Sequence, residues 1–463
     1  MNKLKNKETI VILGILLLGL LLRLVSLNQS FWLDETTSGF VARDLSFSEI
    51  LTKFAPGDFH PPFYYLFLKA WSSVFGFSEI SLRLPSVLTG VGTIYFVYLI
   101  ARRHFDKQIA LLSSLLFTTS GLHIYYSQEA RMYSISVFLV TASLYYFVKT
   151  LNSRKTVDWA IFSLLITLNA AVDYLPNLIL IVFVIAALAF KKDKNWWMKF
   201  ILALLPIFMF WIFWMPTLVT QLEIGLRVKE SLGAWWGVLG RTSIRETALF
   251  AVKLVIGRIS FENSLVYAFA GVLSLIYWLL VFKGIPKKSK NVRLISLWFI
   301  IPTAIAWVLG FWISVFSYFR LIFVLPAFYI LVSIGTLSFK KNCKYIAIFL
   351  VIFNLATSAL YLFNTNFHRE DWRGVWEQVR TRYDQKSAII LQGSGREALN
   401  YYFPEATIIN SDQISSYEQL FLLRYTQPIF DPEDSVKLII ERAGYKMTEV
   451  IDSKGIQVFE YIK

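Results

Sequence analysis

The sequence is poor in cysteine and in charged residues. Its one cysteine, Cys343, excludes an internal disulfide framework and a metal site built on cysteines. Charged residues make up 17% of the 463 residues, against about 25% in an average soluble domain, whereas 56% are hydrophobic. A water-soluble protein of this composition would expose large apolar patches and would aggregate. The composition therefore predicts an integral membrane protein surrounded by lipid.

The net charge of +15 does not indicate a nucleic-acid partner. A domain that binds nucleic acid gathers its Lys and Arg residues on one surface, but here they form short clusters between apolar runs. Such clusters are typical of the cytoplasmic loops of membrane proteins. We therefore expect membrane lipid, and no nucleic acid, among the partners.

Eleven apolar runs are candidates for membrane-spanning helices, since a span needs about 20 apolar residues to cross about 30 Å of hydrocarbon. They lie near residues 9–27, 80–100, 109–126, 133–149, 157–172, 175–190, 198–219, 263–282, 294–313, 318–338 and 344–363. Pro176 divides the run from 157 to 190, which is too long for one crossing. Basic residues precede the first run and no small-residue cleavage site follows it, so we expect an uncleaved first span with a cytoplasmic N-terminus.

Eleven spans from a cytoplasmic start define the predicted domains. Residues 1–363 form the transmembrane domain, with extracytoplasmic loops at 28–79 and 220–262. Residues 364–463 form an extracytoplasmic soluble domain. With this topology, the basic clusters that separate the shorter extracytoplasmic loops all lie on the cytoplasmic side. Lys and Arg residues of membrane proteins are concentrated on that side. We expect an all-α, multi-pass protein of the cytoplasmic membrane with a small C-terminal α/β domain.

The C-terminal tail reads as a small α/β domain. Apolar strands are predicted at Ala388–Leu391, near Ala406–Ile409 and near Gln457–Tyr461. The turn Gly393-Ser394-Gly395 lacks the flanking pattern of a phosphate loop.

The loop 220–262 combines aromatic anchors with positive charge. Trp235, Trp236 and the stretch Ile244–Ile256 predict helices that lie in the membrane interface. The basic residues of this loop are Arg227, Lys229, Arg241, Arg245, Lys253 and Arg258. Their predicted extracytoplasmic position is contrary to the preference of basic residues for the cytoplasmic side. Either they bind an anionic ligand, or the loop is too long for the preference to apply. The sequence leaves both interpretations open.

Two adjacent carboxylates, Asp34 and Glu35, follow the first span. They could begin a solvated loop or cap a following helix. A carboxylate in a partly apolar cleft could instead act as a general base. Further along the same loop, Asp58 and His60 precede two prolines, where His60 is either incidental to a helix start or presented to the same cavity as Asp34.

The other candidates lie at span ends on the predicted extracytoplasmic side. Glu129, Arg131 and Tyr133 stand between two spans, while Arg83 and Arg320 flank two others. Glu129 and Arg131 could simply pair with each other, or Arg131 could grip a phosphate. A carboxylate base together with cations is the equipment that displacement of a phosphate leaving group needs.

These motifs resemble the integral-membrane glycosyltransferases of the C-type fold. The closest groups are the protein O-mannosyltransferases and the bacterial aminoarabinose transferase of lipid A. The resemblance rests on the Asp34-Glu35 pair, His60-Pro61-Pro62, Ser127–Ser134, Arg83–Ser86, Arg320–Pro326 and Asp371-Trp372-Arg373. It covers most of residues 1–375 and is most specific in the first 135.

The resemblance implies a sugar donor carried on polyprenyl phosphate and an acceptor that is a glycan, a lipid or a protein. It implies that Asp34 is the base of an inverting transfer, with Glu35 orienting the acceptor or Asp34. Our candidates to bind the donor phosphate are His60, Arg131, Arg320 and Arg83, with Asp58, Glu129 and Tyr133 as accessory groups.

The sequence gives little support for a metal in this site. The aminoarabinose transferase has Glu-Lys before its two prolines, whereas this sequence has Phe59-His60. Asp58 with His60 could bind a divalent ion, but two ligands at this spacing are weak grounds for a site. We expect no obligatory metal or cofactor.

Two other classes remain. A transporter would show inverted repeats and ionisable groups near the bilayer midplane, whereas these charges lie at span ends and the two halves of the chain do not match. A polymerase or ligase of lipid-linked glycans shares the membrane side and the donor class, and the sequence barely separates it from a monosaccharide transferase.

Replacement of the predicted base tests the enzyme interpretation. We expect Asp34→Asn to insert stably and to lose transfer, because an amide cannot accept the proton of the acceptor hydroxyl. The measurement is sugar transfer in isolated membranes at matched protein levels, and retained transfer would remove Asp34 as the base.

Overall fold

The computed structural model of this protein describes residues 2–153, 155–190, 192–231, 240–285 and 289–463. The predicted interfacial residues Trp235 and Trp236 lie outside this set. The neighbouring stretch Ile244–Ile256 is a helix, as its pattern predicted.

Helices form most of the part before residue 364. In chain order they are α1 (Asn2–Leu24), α2 (Leu33–Asp44), α3 (Phe63–Phe75), α4 (Glu79–His104), α5 (Lys107–Thr118), α6 (Gly121–Ser127), α7 (Tyr133–Thr150), α8 (Thr156–Val172), α9 (Ile179–Ala189), α10 (Lys194–Ser231), α11 (Ile244–Ile256), α12 (Ser264–Gly284), α13 (Lys290–Leu309), α14 (Leu325–Leu337) and α15 (Cys343–Phe363). Single helical turns lie at Phe47–Glu49, Ile50–Phe54, Ala55–Gly57, Leu175–Leu178, Ile322–Val324, Lys340–Asn342, Thr365–Phe367 and Ile414–Ser416.

Each of the eleven predicted runs contains a helix, but the number of full spans stays a prediction. Among the described residues, five helices are long and apolar enough to cross a membrane. A sixth is added if α5 and α6, which meet at a bend of 59°, count as one broken span. Helices α8, α9 and α14 are apolar but shorter. The protein is therefore multi-pass, and α8 and α9 are separated by a turn containing Pro176, as predicted.

The C-terminal part is built on one five-stranded sheet. Its strands are β1 (Ser387–Leu391), β2 (Ile408–Ile409), β3 (Gln419–Leu423), β4 (Lys446–Ser453) and β5 (Ile456–Ile462), and its helices are α16 (Trp372–Arg380), α17 (Arg396–Tyr402), α18 (Gln427–Phe430) and α19 (Ser435–Arg442). The strand order is β2-β1-β3-β5-β4. Strand β1 runs parallel to β2 and β3, whereas β5 is antiparallel to both of its neighbours.

Alternating side chains of β1 bury both faces of this sheet. Ile389 packs in one apolar cluster with Trp372 of α16, while Ala388 and Ile390 pack in a second cluster on the other face. The three predicted strands are confirmed with shifted ends, whereas β3 and β4 were not predicted.

The C-terminal part docks directly on α2. The Phe31 N–H donates to the Tyr402 hydroxyl over 2.8 Å, and Arg43 donates to the Asn400 carbonyl oxygen over 2.8 Å. Leu33, the first residue of α2, packs against the apolar cluster around Trp372. Helix α2 is therefore held between the membrane helices and the C-terminal sheet, which places its first turn at the junction of the two.

Helices α12 and α14 pack with their backbones in close approach. A Cβ atom added to Gly335 would overlap the carbonyl of Leu280, and one added to Gly284 would crowd the carbonyl of Leu331. Small residues allow such approach between helices in a membrane.

Gly335→Ala tests this packing. We expect it to destabilise the protein by about 1–3 kcal/mol, because the methyl group forces apart two backbones that have no room to yield. The measurement is thermal unfolding in detergent, with Gly14→Ala as the matched control, since nothing lies within 4 Å of a Cβ added there. Equal unfolding temperatures for the two variants would contradict the close approach.

Candidate active site

A cavity of about 330 Å³ lies where the first turn of α2 meets the ends of α6 and α7. The segment 366–370, which joins α15 to the C-terminal domain, forms another wall. Its lining groups are Trp32, Asp34, Tyr125, Tyr126, Glu129, Tyr133, Arg258, Ser260, Phe319, Asn366, Phe367, His368, Arg369 and Glu370. Three predicted site residues, Asp34, Glu129 and Tyr133, are therefore brought to one cavity.

The Asp34 carboxylate is accessible from this cavity. Its side chain keeps 41% of its surface exposed, so a substrate can reach it. Arg131 is buried beside it, with 3.6 Å between Nη2 of Arg131 and Oδ2 of Asp34.

The adjacent Glu35 is completely buried and fully engaged. Its oxygens accept hydrogen bonds from Arg83 Nε at 2.8 Å, Arg83 Nη2 at 2.6 Å and the Ala130 N–H at 2.7 Å. The Arg369 guanidinium lies 3.8 Å away. Burial raises the pKa of Glu35, but the charges of Arg83 and Arg369 and these hydrogen bonds outweigh it and hold the pKa below its ordinary value. Glu35 is therefore an ionised anchor for the start of α2.

All of the guanidinium N–H groups of Arg83 donate hydrogen bonds to groups inside the protein. Besides Glu35, its Nη1 and Nη2 atoms donate to the carbonyl oxygens of Leu27, Gln29 and Ser30. Its guanidinium also lies over the Phe31 ring at 4.9 Å. This cation ties α4 to the loop before α2, and it has no donor left for a ligand.

A line of polar groups runs from Asp34 to His60. Arg131 Nη1 donates to the Tyr65 hydroxyl over 3.1 Å, and Tyr65 in turn is hydrogen-bonded to Asp58. His60 Nδ1 lies 3.4 Å from the Asp58 carboxylate. Although burial raises the pKa of Asp58, His60 and Arg131 hold it below its ordinary value. His60 is thus connected to Asp34 only through Asp58, Tyr65 and Arg131, and it does not itself line the cavity.

Glu129 has the opposite surroundings to Glu35. It is completely buried, and neither carboxylate oxygen has a hydrogen-bond partner among the described residues. Burial, opposed by the charge of Arg369, raises the pKa of Glu129 to about 7. The backbone of the same loop is nevertheless fixed, since Ser86 donates to the Glu129 carbonyl oxygen over 2.6 Å.

Two arginines are left without acidic partners. Arg258 and Arg320 make neither a salt bridge nor a hydrogen bond to another described residue, and both have only ring contacts. Arg258 lies 5.9 Å from the rings of Tyr125 and Tyr318. Arg320 lies 5.6 Å from the ring of Phe319.

A second cavity, of about 650 Å³, adjoins the first. Arg258 and Ser260 line both cavities. The other lining groups come mostly from α11 and α12 and are largely apolar, with Arg245 and Lys253 among them. Arg258 therefore stands between a polar chamber that contains Asp34 and a larger apolar one.

Glu370 links the cavity to the C-terminal domain. Its carboxylate accepts hydrogen bonds from the Tyr425 hydroxyl, the Trp372 indole over 3.1 Å, and the backbone N–H of Leu33. Burial raises the pKa of Glu370, and these hydrogen bonds act in the opposite direction. The start of α2 is thus held by an acid of the linker as well as by its own Glu35.

Sequence reasoning missed Arg258, Arg369 and Glu370 as site residues. Arg258 was one of the excess basic residues of the loop 220–262, for which an anionic ligand was one of two explanations. Arg369 and Glu370 immediately precede Asp371-Trp372-Arg373, one of the motifs on which the resemblance rests. In the fold this motif clamps the domain, because Asp371 caps α16 and Arg373 pairs with Glu79 over 3.0 Å.

No three His, Cys, Asp or Glu side chains of the described residues are arranged to hold a metal ion. Asp58 and His60 remain a two-ligand pair, so these residues do not by themselves fit a complete metal site. The expectation that no metal is obligatory stays a prediction.

Removal of Arg83 tests the buried anchor. We expect Arg83→Met to destabilise the protein by about 3–5 kcal/mol, because it leaves the buried Glu35 carboxylate without its main partner. Thermal unfolding is the measurement, and the double variant Glu35→Gln/Arg83→Met should recover part of the loss. Arg382→Met, which breaks an exposed pair with Glu449, should cost at most about 1 kcal/mol. A loss for Arg83→Met no larger than that control would show that the pair does not anchor α2.

Comparisons with known proteins match this architecture. The family model described as dolichyl-phosphate-mannose-protein mannosyltransferase matches residues 59–220. An uncharacterized protein of Aquifex aeolicus (strain VF5) is 31% identical over 132 residues. These residues are 28% of this chain and 26% of that protein, so the chain spans about a quarter of the curated relative that it matches.

Solved structures match along nearly the whole chain. ArnT from Cupriavidus metallidurans in the apo state has a TM-score of 0.59 at 11% identity, with 98% of both chains covered. ArnT bound to undecaprenyl phosphate gives 0.57 at 11% identity, covering 98% of this chain and 97% of that one. The Archaeoglobus fulgidus oligosaccharyltransferase in complex with Zn and sulfate gives 0.53 at 12% identity, covering 97% and 72%. The predicted resemblance is confirmed, and the chain has the fold of the C-type integral-membrane glycosyltransferases.

Proposed function

We propose that this protein transfers a sugar from a polyprenyl-phosphate carrier to an acceptor hydroxyl on the extracytoplasmic face of the membrane. The observation that carries the proposal is an accessible carboxylate, Asp34, in a cavity that also presents the unpaired guanidinium of Arg258. This pairing of a base with a cation suits the displacement of a phosphate leaving group.

The reaction is a single displacement at the anomeric carbon of the sugar. Asp34 accepts the proton of the acceptor hydroxyl, and the acceptor oxygen forms a bond to the anomeric carbon. The bond from that carbon to the phosphate oxygen breaks, and polyprenyl phosphate leaves with the electron pair. Attack from the side opposite the leaving group inverts the anomeric configuration. Arg131 lies beside Asp34 and orients it.

Arg258 and Arg320 are the best candidates to hold the donor phosphate. Both are free of acidic partners among the described residues, whereas Arg83 and Arg369 serve Glu35 and Arg131 serves Asp34. A guanidinium that is not already paired gains most from a phosphate. His60 and Arg131 remain predicted contributors, and we assign Arg83 to the support of α2.

The adjoining cavity of about 650 Å³ suits the lipid part of the donor. Its lining is largely apolar, and Arg258 stands at its junction with the Asp34 chamber. A carrier whose phosphate lies at Arg258 could extend its first isoprene units there. The ArnT structure bound to undecaprenyl phosphate, which shares this fold, supports a carrier of that class.

The test is a panel of defined polyprenyl-phosphate sugars offered to the purified protein in lipid vesicles. We expect one donor to be consumed with release of polyprenyl phosphate. Arg258→Gln and Arg320→Gln should each raise the KM for the donor roughly tenfold to a hundredfold, since a hydrogen bond to a charged group contributes about 1.5–3 kcal/mol. The matched control is Arg103→Gln, which changes an exposed arginine outside the cavity.

Two outcomes would contradict the proposal. One is the absence of consumption of any donor by the wild-type protein. The other is an unchanged KM in both arginine variants, which would remove the phosphate site from this position while leaving transfer itself in place.

A further inference from the structure

Two glutamates near the cavity are both completely buried, yet their surroundings are opposite. Glu35 accepts hydrogen bonds from Arg83, the Ala130 N–H and the Trp32 N–H. Glu129 has no hydrogen-bond partner among the described residues on either oxygen, although its side chain lines the cavity. A buried carboxylate without partners lowers the stability of the fold. Such a group is expected where a ligand supplies the missing donors.

The backbone of the loop that carries Glu129 is fixed, so a loose loop does not explain why this side chain is unpaired. Ser86 donates to the carbonyl oxygen of Glu129, and the next N–H, that of Ala130, donates to Glu35. The peptide group between Glu129 and Ala130 is therefore fixed at both its carbonyl oxygen and its N–H, and the carboxylate is held against the cavity. Arg131, two residues on, is committed to Asp34 and Tyr65.

The chamber has the size and the lining for one sugar ring. Its volume of about 330 Å³ is at the low end of ligand pockets, which span about 300–1,000 Å³. Tyr125, Tyr126 and Tyr133 contribute aromatic faces and hydroxyls beside Glu129. Asp34, which lines the same chamber, would face the anomeric carbon of a ring held there.

We propose that Glu129 marks the subsite of the transferred sugar and accepts hydrogen bonds from its ring hydroxyls. The assignment rests on the proposed glycosyltransferase function and identifies which part of the donor each acid meets. Asp34 meets the acceptor hydroxyl at the reacting carbon, Arg258 and Arg320 meet the phosphate, and Glu129 meets the hydroxyls of the sugar.

In this role, Glu129 lowers the stability of the ligand-free protein and contributes to binding when the sugar is present. We expect Glu129→Gln to raise the unfolding temperature of the ligand-free protein, because an amide has no charge to desolvate. Burial raises the pKa of Glu129 to about 7, so its folded form is ionised only above that pH. The unfolded carboxyl ionises near pH 4.5, so the penalty grows between these two values. The stabilisation should therefore be larger at pH 8 than at pH 5, with Arg369, Glu35, Arg131 and Asp34 as the charges that act on Glu129.

The deciding experiment compares two ligands on three proteins. Binding of the consumed polyprenyl-phosphate sugar and of sugar-free polyprenyl phosphate is measured on the wild-type protein, Glu129→Ala and the exposed control Glu418→Ala. We expect the wild-type protein to bind the sugar-bearing ligand more tightly. In Glu129→Ala the ratio of the affinities for the two ligands should fall tenfold or more, while the affinity for sugar-free polyprenyl phosphate should stay unchanged.

Deoxy-sugar donors locate the contact. If Glu129 meets a given hydroxyl, the wild-type protein discriminates against the donor that lacks it, and Glu129→Ala does not, since the two deletions are not additive. Equal losses for both ligands, or undiminished discrimination in Glu129→Ala, would overturn the sugar subsite. Should the wild-type protein consume no donor, the proposed reaction fails, and the binding comparison, made with the panel donor that binds most tightly, still decides the role of Glu129. Absence of any preference for sugar-bearing ligands would then count against the subsite too.

Discussion

The buried ion pair between Glu35 and Arg83 is the constraint on which the site depends. Moving two charges out of water is costly, and the cost is offset here by close geometry and by further donors to Glu35. Successive residues on an α-helix point about 100° apart, so fixing Glu35 inward turns its neighbour Asp34 towards the cavity. The adjacent acids thus divide their roles, since Glu35 anchors the helix and Asp34 remains accessible for chemistry.

The C-terminal domain also holds the start of α2 in place. Leu33 packs against the domain's apolar cluster, the Phe31 N–H donates to Tyr402, and Glu370 accepts the N–H of Leu33. A truncation after about residue 365 would remove Arg369 and Glu370 and release α2. Loss of activity in such a protein would therefore reflect the loss of this support for α2, and it would not by itself show that the domain binds the acceptor.

The sequence predicted the helices well because long apolar runs have few alternative structures. It also predicted that Asp34, Glu129 and Arg131 come together, since all three stand at helix ends on one predicted side of the membrane. It could not predict that Arg83 serves Glu35, because the direction of a side chain depends on tertiary packing. Arg258 and Glu370 were missed for a related reason, since they reach the cavity from segments more than 100 residues away in the chain. Strand β4 was missed because it is mostly exposed and lacks an apolar run.

If Asp34 activates the acceptor for a single displacement, as proposed, the anomeric configuration of the sugar must change during transfer. The measurement is the coupling constant of the anomeric proton in the donor and in the transferred sugar, by nuclear magnetic resonance. We expect an inverted configuration. Retention would require a covalent sugar–enzyme intermediate or a double displacement, and it would contradict the role of Asp34 as a general base.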